Sequence, residues 1–237
     1  MTIDSVPDRT PGAGVVVILA ARDEGERIGA TLAGLKDAFP AARVWVADDG
    51  SADRTGEIAR EQGAMIARAE RVGKGRAVTM AALLALQELD PERPEPVFLL
   101  CDGDLGYSAG RLGPLVEAVS EGRGELAVAV FIRRPPGGFG VARGFARWAI
   151  RRRCGLRTRA PISGQRALTL AALRDVLPLA GGFGMEVGMT IDATRAGRRT
   201  VELELDLSDR PTGRDLAGFL HRGRQLLDFA RVYLARR

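Results

Sequence analysis

Four short clusters in the sequence combine acidic, basic and small residues at spacings suited to phosphate and divalent-cation chemistry. Asp102-Gly103-Asp104 follows directly on the apolar run Val97–Cys101. Two carboxylates separated by one small residue at the mouth of an apolar strand can hold a hard divalent cation whose open positions take diphosphate oxygens; the same tripeptide also makes an ordinary turn. Asp48-Asp49-Gly50-Ser51, with Asp53 and Thr55 beyond it, suits hydrogen bonding to a nucleoside and equally suits turn chemistry. Gly73-Lys74-Gly75 opens a helical pattern, so a phosphate could meet backbone N–H groups and the lysine together. After the first apolar run, Asp23, Glu24 and Glu26 offer acceptors for a base or ribose, or simply cap a helix.

Familiar nucleotide motifs are excluded by the same residues. A Walker A loop ending at Lys74 would need glycine where the chain has Arg68 and Ser or Thr where it has Gly75. No GxGxxG follows the first strand, against a dinucleotide-binding domain. The first turn also lacks the glycine-rich wrap of a sugar nucleotidyltransferase. A non-catalytic nucleotide-binding or membrane-associated scaffold is the remaining different class, and Asp102 with Asp104 argues against it. Cys101 and Cys154 fit no zinc or redox spacing and are expected as reduced thiols. His221, the only histidine, sits beside Arg222 and Arg224 and is expected at the surface.

The elements that must position these residues follow from periodicity. Val15–Ala20, Val44–Ala47, Ala64–Ala67, Val97–Cys101 and Leu126–Phe131 read as strands. Glu24–Ala38, Asp53–Gln62, Gly75–Leu89 and Leu112–Ser120 read as the helices between them. Such alternation predicts an α/β fold with a mostly parallel central sheet flanked by helices, in which ligands gather beyond the carboxyl ends of the strands. Past Arg133–Gly140, a Pro- and Gly-rich loop, come a helix Val141–Arg153, helices Leu170–Leu177 and Met185–Arg195, a strand Thr200–Leu207 and a polar closing helix Asp215–Leu234. One domain spanning 1–237 is expected.

With 46% apolar residues the chain can bury one sizeable core. Its formal charge of +5 hides an asymmetry: residues 126–174 contain eleven arginines and no acid, which leaves −6 for the remainder. A block of this kind attracts phosphates or an anionic membrane surface; with no aromatic interleaving, no nucleic-acid partner is expected. Arg143, Arg147 and Arg151 recur every fourth residue, opposite Val141, Phe145, Trp148 and Ala149, as on a helix lying on a membrane or one packed on a core. The amino terminus mixes Asp4, Asp8 and Arg9 with prolines, unlike a signal peptide, and the longest apolar run, Ala77–Leu86, is far below the roughly 20 residues of a spanning helix. A cytoplasmic protein is expected, at most peripheral on the inner membrane face.

Asp48-Asp49-Gly50-Ser51, Gly73-Lys74-Gly75 and Asp102-Gly103-Asp104-Leu105, in that order, resemble the family 2 glycosyltransferases of GT-A fold, particularly the polyprenol-phosphate mannosyl- and glucosyltransferases. The resemblance implies a nucleotide-sugar donor (UDP-glucose or GDP-mannose) held by Asp23, Asp49, Lys74 and Asp102, with Mg2+ or Mn2+ on Asp102 and Asp104. It makes 1–131 the donor half and 132–237 the acceptor half. Arg133, Arg143 and Arg210 become candidate clamps for donor and acceptor phosphates, a task suited to the planar guanidinium. Glu186, behind Gly182-Phe183-Gly184, becomes the candidate base or sugar-hydroxyl partner. The implied acceptor carries phosphate, with polyprenyl phosphate first. Gly184-Met185-Glu186-Val187-Gly188 is more distantly similar to glucosyl-3-phosphoglycerate synthases, which implies a soluble acceptor instead. Gly106 stands where the polyprenol-phosphate enzymes usually place a metal-binding glutamine, which leaves the third ligand to a residue such as Asp209.

Overall fold

The computed structural model describes residue 12 and residues 14–132, 140–208 and 227–236. Seven strands form one sheet: β1 (Val15–Ala21), β2 (Arg43–Asp48), β3 (Met65–Arg68), β4 (Val97–Asp102), β5 (Leu126–Phe131), β6 (Arg166–Leu168) and β7 (Thr200–Leu205). Their spatial order is β3-β2-β1-β4-β6-β5-β7. Six strands point the same way, and only β6 runs against its neighbours β4 and β5. The sheet is therefore mostly parallel, as the alternation predicts. β1, β4 and β5 are continuous apolar runs because helices cover both their faces.

The helices are α1 (Ile28–Ala38), α2 (Thr55–Glu61), α3 (Lys74–Gln87), α4 (Gly113–Ser120), α5 (Val141–Cys154), α6 (Leu170–Val176) and α7 (Met185–Arg195). On one face of the sheet, Ile28, Leu32 and Leu35 of α1 and Leu115 of α4 pack over Val17, Leu19 and Leu99. On the other face lie Ala77, Val78, Ala81 and Ala85 of α3, Leu173 of α6 and Met185 and Met189 of α7. A third cluster joins Ala146 and Ile150 of α5 to Val187 and Ile191 of α7 and to Phe229 and Val232 of the helical segment 227–235.

This topology fixes where a ligand can bind. The chain builds outward from β1 to β3, then α3 carries it back so that β4 joins the opposite edge of β1. Reversal of strand order opens a crevice at the carboxyl ends of β1 and β4. Pairing of Ala20 with Asp102 and of Ala21 with Asp48 sets the ends of β4, β1 and β2 side by side there.

Four expectations change. α1 begins at Ile28 and not at Glu24, because Asp23 takes a left-handed backbone (φ 55°) and the next residues are bonded to the β2 loop. β6 has no counterpart in the periodicity. The expected apolar side of α5 divides: Ala149 is buried with Ala146 and Ile150, while Val141 and Trp148 are 62% and 50% exposed. The expected closing helix lies outside the described residues before 227, and over 227–235 it is not polar throughout: Phe229 and Val232 are buried. Cys101 and Cys154 are unpaired thiols, as expected. Among the described residues no helix is long and apolar enough to cross a membrane.

The start of α3 meets the segment before α7 so closely that a Cβ on Gly75 would lie 1.8 Å from the Ala180 carbonyl oxygen. Gly75→Ala should therefore destabilise the protein by about 1–3 kcal/mol, as overpacking does. Gly144→Ala, on α5 where the added methyl meets nothing within 4 Å, should stabilise it by about 0.5–1 kcal/mol. Urea denaturation of the two variants checks both signs.

Candidate active site

Three loops at the carboxyl ends of the strands are tied into one surface. The Asp23 amide donates to Ser51 Oγ (3.0 Å), and the Ala52 amide donates to Asp23 Oδ1 (2.7 Å). The Glu24 amide donates to Thr55 Oγ1 (2.8 Å) and the Gly25 amide to Asp53 Oδ2 (2.8 Å). The β1 and β2 loops thus satisfy each other's polar groups and need no regular structure.

Asp48 and Asp49, adjacent in sequence, do different work. Asp48 is fully buried: it accepts from the Ser51 amide (2.8 Å) and pairs with Arg68 (3.4 Å), closing its own turn. Asp49 reaches out of the sheet, where its Oδ1 accepts from the Gly73 amide (2.9 Å) and its Oδ2 pairs with Arg22 (3.3 Å). Asp49 therefore fixes the residue just before Lys74.

The Lys74 ammonium lies between two carboxylates, 2.6 Å from Asp102 Oδ1 and 2.7 Å from Glu186 Oε1. Burial disfavours the charged amine, but the attraction of Asp102 and Glu186 prevails and holds Lys74 above the usual lysine range. Gln165 Nε2 donates to the other oxygen, Asp102 Oδ2, at 3.1 Å. Asp104, half-buried, is two residues further along the same turn, whose backbone is held by Thr31 (Oγ1 to the Gly103 carbonyl, 2.8 Å) and Arg27 (to the Asp104 carbonyl, 3.3 Å). Both aspartates act on the buried Cys101: burial first, then their negative charges, push its thiol above the ordinary range, with Lys74 opposing. Cys101 is thus an inert thiol.

Beneath this group lies Arg166, with 0% exposure. Its Nε donates to the Ser163 carbonyl (2.8 Å) and one terminal nitrogen to Thr190 Oγ1 (2.9 Å). Burial pushes Arg166 down to about 10, against the pull of Glu186 and Glu202. An open cavity of about 720 Å³ adjoins the Asp102–Asp104 turn and is lined by residues including Arg27, Leu105, Tyr107, Arg111 and Asp206. None of Lys74, Asp102 and Glu186 lines it.

Of the residues singled out in sequence, Lys74, Asp102 and Glu186 meet directly, Asp49 joins them through Gly73, and Asp104 and Asp23 stand on adjoining loops. Arg143 lies in the first turn of α5, half-buried. Arg133, Arg210, Asp209 and His221 lie outside the described residues. Arg22, Gln165 and Arg166 were not anticipated as members of this centre. The sequence signal that could have found Gln165 is its segment, Ile162-Ser163-Gly164-Gln165-Arg166, which is similar to acceptor-side segments of the family 2 glycosyltransferases. Among the described residues no three His, Cys, Asp or Glu side chains converge on one point, so a cation here would draw on the two aspartates and neutral oxygen ligands.

The mostly parallel sheet, with acidic loops and a lysine at its switch point, has the form of a GT-A nucleotide-sugar transferase fold. Residues 16–174 match the model of glycosyl transferase family 2, and the chain belongs to that family: it is a glycosyltransferase. It is 30% identical over 217 residues to the undecaprenyl-phosphate mannosyltransferase of Micrococcus luteus, covering 84% of this chain and 85% of that one. It is 29% identical over 211 residues to the glycosyltransferase AglJ of Haloferax volcanii, covering 87% of this chain but only 66% of that protein's length. Among solved structures, glucosyl-3-phosphoglycerate synthase of Mycobacterium tuberculosis in complex with Mn2+, UDP and phosphoglyceric acid superimposes with a TM-score of 0.69. The two are 26% identical, over 94% of this chain and 78% of that one.

Two predictions follow from the geometry. Lys74→Met leaves two carboxylates facing each other and should cost about 2–4 kcal/mol, the lower part of the range for breaking a buried pair because Lys74 keeps some exposure. Adding Glu186→Gln should restore at least half of the loss in urea denaturation. Asp53 is the second case: burial works against its ionised form, but bonds from Thr55 and Gly25 hold it below its ordinary value of 3.8. Its contribution is present above that value and is lost as pH falls through the lower folded one. Asp53→Asn should therefore lower the melting temperature at pH 7 and leave it unchanged near the acid limit of folding.

Proposed function

We propose that this protein transfers a hexose from a nucleotide-diphosphate sugar to a small, soluble, phosphate-bearing acceptor of the 3-phosphoglycerate kind. The observation that carries this reading is the likeness over 94% of the chain to a synthase that holds Mn2+, UDP and phosphoglyceric acid together. Asp23 and Asp49 would bind the nucleoside, Lys74 the diphosphate, and Asp102 with Asp104 the metal ion.

Electrostatics supports a metal-dependent donor site. Lys74 together with Asp102, Asp104 and Glu186 has a formal charge of −2. A bare diphosphate would be repelled by such a centre, whereas a diphosphate accompanied by Mg2+ or Mn2+ would not. When bound, the metal neutralises the charge that develops on the leaving nucleoside diphosphate.

In the transfer itself, the bond between the sugar C1 and the diphosphate oxygen breaks while a bond from C1 to an acceptor oxygen forms. A hydroxyl acceptor must also give up its proton. Glu186 accepts from Lys74, so its first task would be to orient that lysine; its second oxygen can receive a hydroxyl. Arg133, Arg143 and Arg210 would clamp phosphates on the acceptor side. We read 1–237 as one unit in which 1–131 supplies the donor half and 132–237 the acceptor half, with Gln165 and Glu186 reaching back across the boundary.

A second reading, transfer to polyprenyl phosphate at an anionic membrane surface, is favoured by the 30% identity to the undecaprenyl-phosphate mannosyltransferase. It is also favoured by the outward face of α5, where Val141 and Trp148 are exposed beside Arg151 and Arg152. A phosphate oxyanion acceptor would need no base.

Incubation of UDP-glucose or GDP-mannose with Mn2+ or Mg2+, and with 3-phosphoglycerate or undecaprenyl phosphate in parallel, separates the two. The expected result is a glycosylated 3-phosphoglycerate, lost with EDTA and in Asp102→Ala and Asp104→Ala. Transfer to the lipid alone would replace the first reading with the second, and turnover undiminished by EDTA would remove the metal from both.

A further inference from the structure

Gln165 occupies a place in the donor site that its sequence position does not suggest. β6 is an inserted antiparallel strand between β4 and β5, pairing Leu100 with Arg166. This register puts the residue before Arg166 at the end of β4, against Asp102. Gln165 is 2% exposed, and its Nε2 is 3.1 Å from Asp102 Oδ2. Its Oε1 is buried and makes no hydrogen bond. An unpaired amide oxygen in a protein interior is costly, so it is expected to find a partner in the working state.

The neighbouring residue lets Gln165 come this close. A Cβ on Gly164 would lie 2.4 Å from Asp102 Oδ2 and 2.9 Å from Lys74 Nζ, so only glycine fits against that oxygen. Lys74 takes Oδ1 of the same carboxylate. Oδ2 is therefore the edge of Asp102 that faces the amide.

We propose that Gln165 Oε1 is a metal ligand, completing with Asp102 and Asp104 the oxygen set for the divalent cation; this rests on the donor-site reading above. Rotation of the amide about its terminal bond exchanges Oε1 for Nε2 and brings the oxygen to 3.1 Å from Asp102 Oδ2. Two oxygens bound cis to an octahedral cation at about 2.1 Å are about 3.0 Å apart, so the spacing suits Mg2+ or Mn2+. Gly106 offers no side chain to the site, and Gln165, just before β6, supplies the neutral oxygen that the loop lacks.

The test is Mn2+ binding followed by the loss of the free-ion EPR signal, with UDP present and no sugar to turn over. Gln165→Leu, which keeps the volume and removes the oxygen, should weaken Mn2+ binding at least tenfold. Gln165→Glu, which offers oxygen at the same reach but cannot donate to Asp102, should bind Mn2+ as well as wild type or better. If Gln165 only steadies Asp102 by donating a hydrogen bond, Gln165→Glu will weaken binding as much as Gln165→Leu, and the proposal fails. It fails too if Gln165→Leu binds Mn2+ like wild type. Should the buried carboxylate prevent folding, judged by circular dichroism, Gln165→Asn decides: one methylene shorter, it should lose affinity like the leucine variant, and undiminished affinity overturns the assignment. Wild type that takes up no Mn2+ with either UDP or GDP would instead overturn the metal-dependent donor site itself.

Discussion

The Lys74 ammonium joins the end of β4 to the first turn of α7, bridging carboxylates from elements 84 residues apart in sequence. Much of the centre is arranged around that junction. Asp49 holds Gly73 so that α3 starts with its lysine pointing into the crevice, and Gly75 lets the same turn press against Ala180. A single amine between two carboxylates leaves one oxygen of Asp102 facing Gln165. In the proposed donor site, an excess of negative charge then surrounds the place a diphosphate would take, and a cation accompanying the donor would resolve that conflict.

The junction is paid for in structure on both sides of the sheet. Loops after β1 and β2 hold each other through Ser51, Asp53 and Thr55, so the crevice is shaped without a long helix cap. Arg166 lies below as a buried cation whose remaining donor capacity is unfilled, next to Glu186 and the α7 turn. Buried charge of this sort gives little net stability.

Much of the sheet was legible because parallel strands buried on both faces are unbroken apolar runs, and the residues immediately after them became candidates by topology alone. Lys74, Asp102 and Glu186 were each named from sequence, but their meeting was not, since spacing says nothing about groups 112 residues apart. Three-residue β6 carries too little periodicity to be seen, and with it the approach of Gln165 to Asp102 was hidden. Neighbouring Asp48 and Asp49 could not be separated either: strand alternation sends one into the core and the other to the crevice, and only the partners Arg68 and Gly73 tell them apart. On α5, periodicity leaves the side of Val141, Phe145, Trp148 and Ala149 open to a membrane or a core; in the fold that side divides, with Ala149 buried and Trp148 tilted against Tyr233 at the surface, ring centroids 4.8 Å apart.

A crystal structure of the protein with Mn2+ and UDP decides where the donor binds. An anomalous Mn2+ peak at the Asp102–Asp104 turn and the diphosphate within hydrogen-bond reach of Lys74 are expected from the donor-site assignment. Nucleotide bound elsewhere, for instance in the cavity beside Tyr107 and Arg111, with the Lys74–Asp102–Glu186 junction unchanged and no metal at the turn, would contradict it.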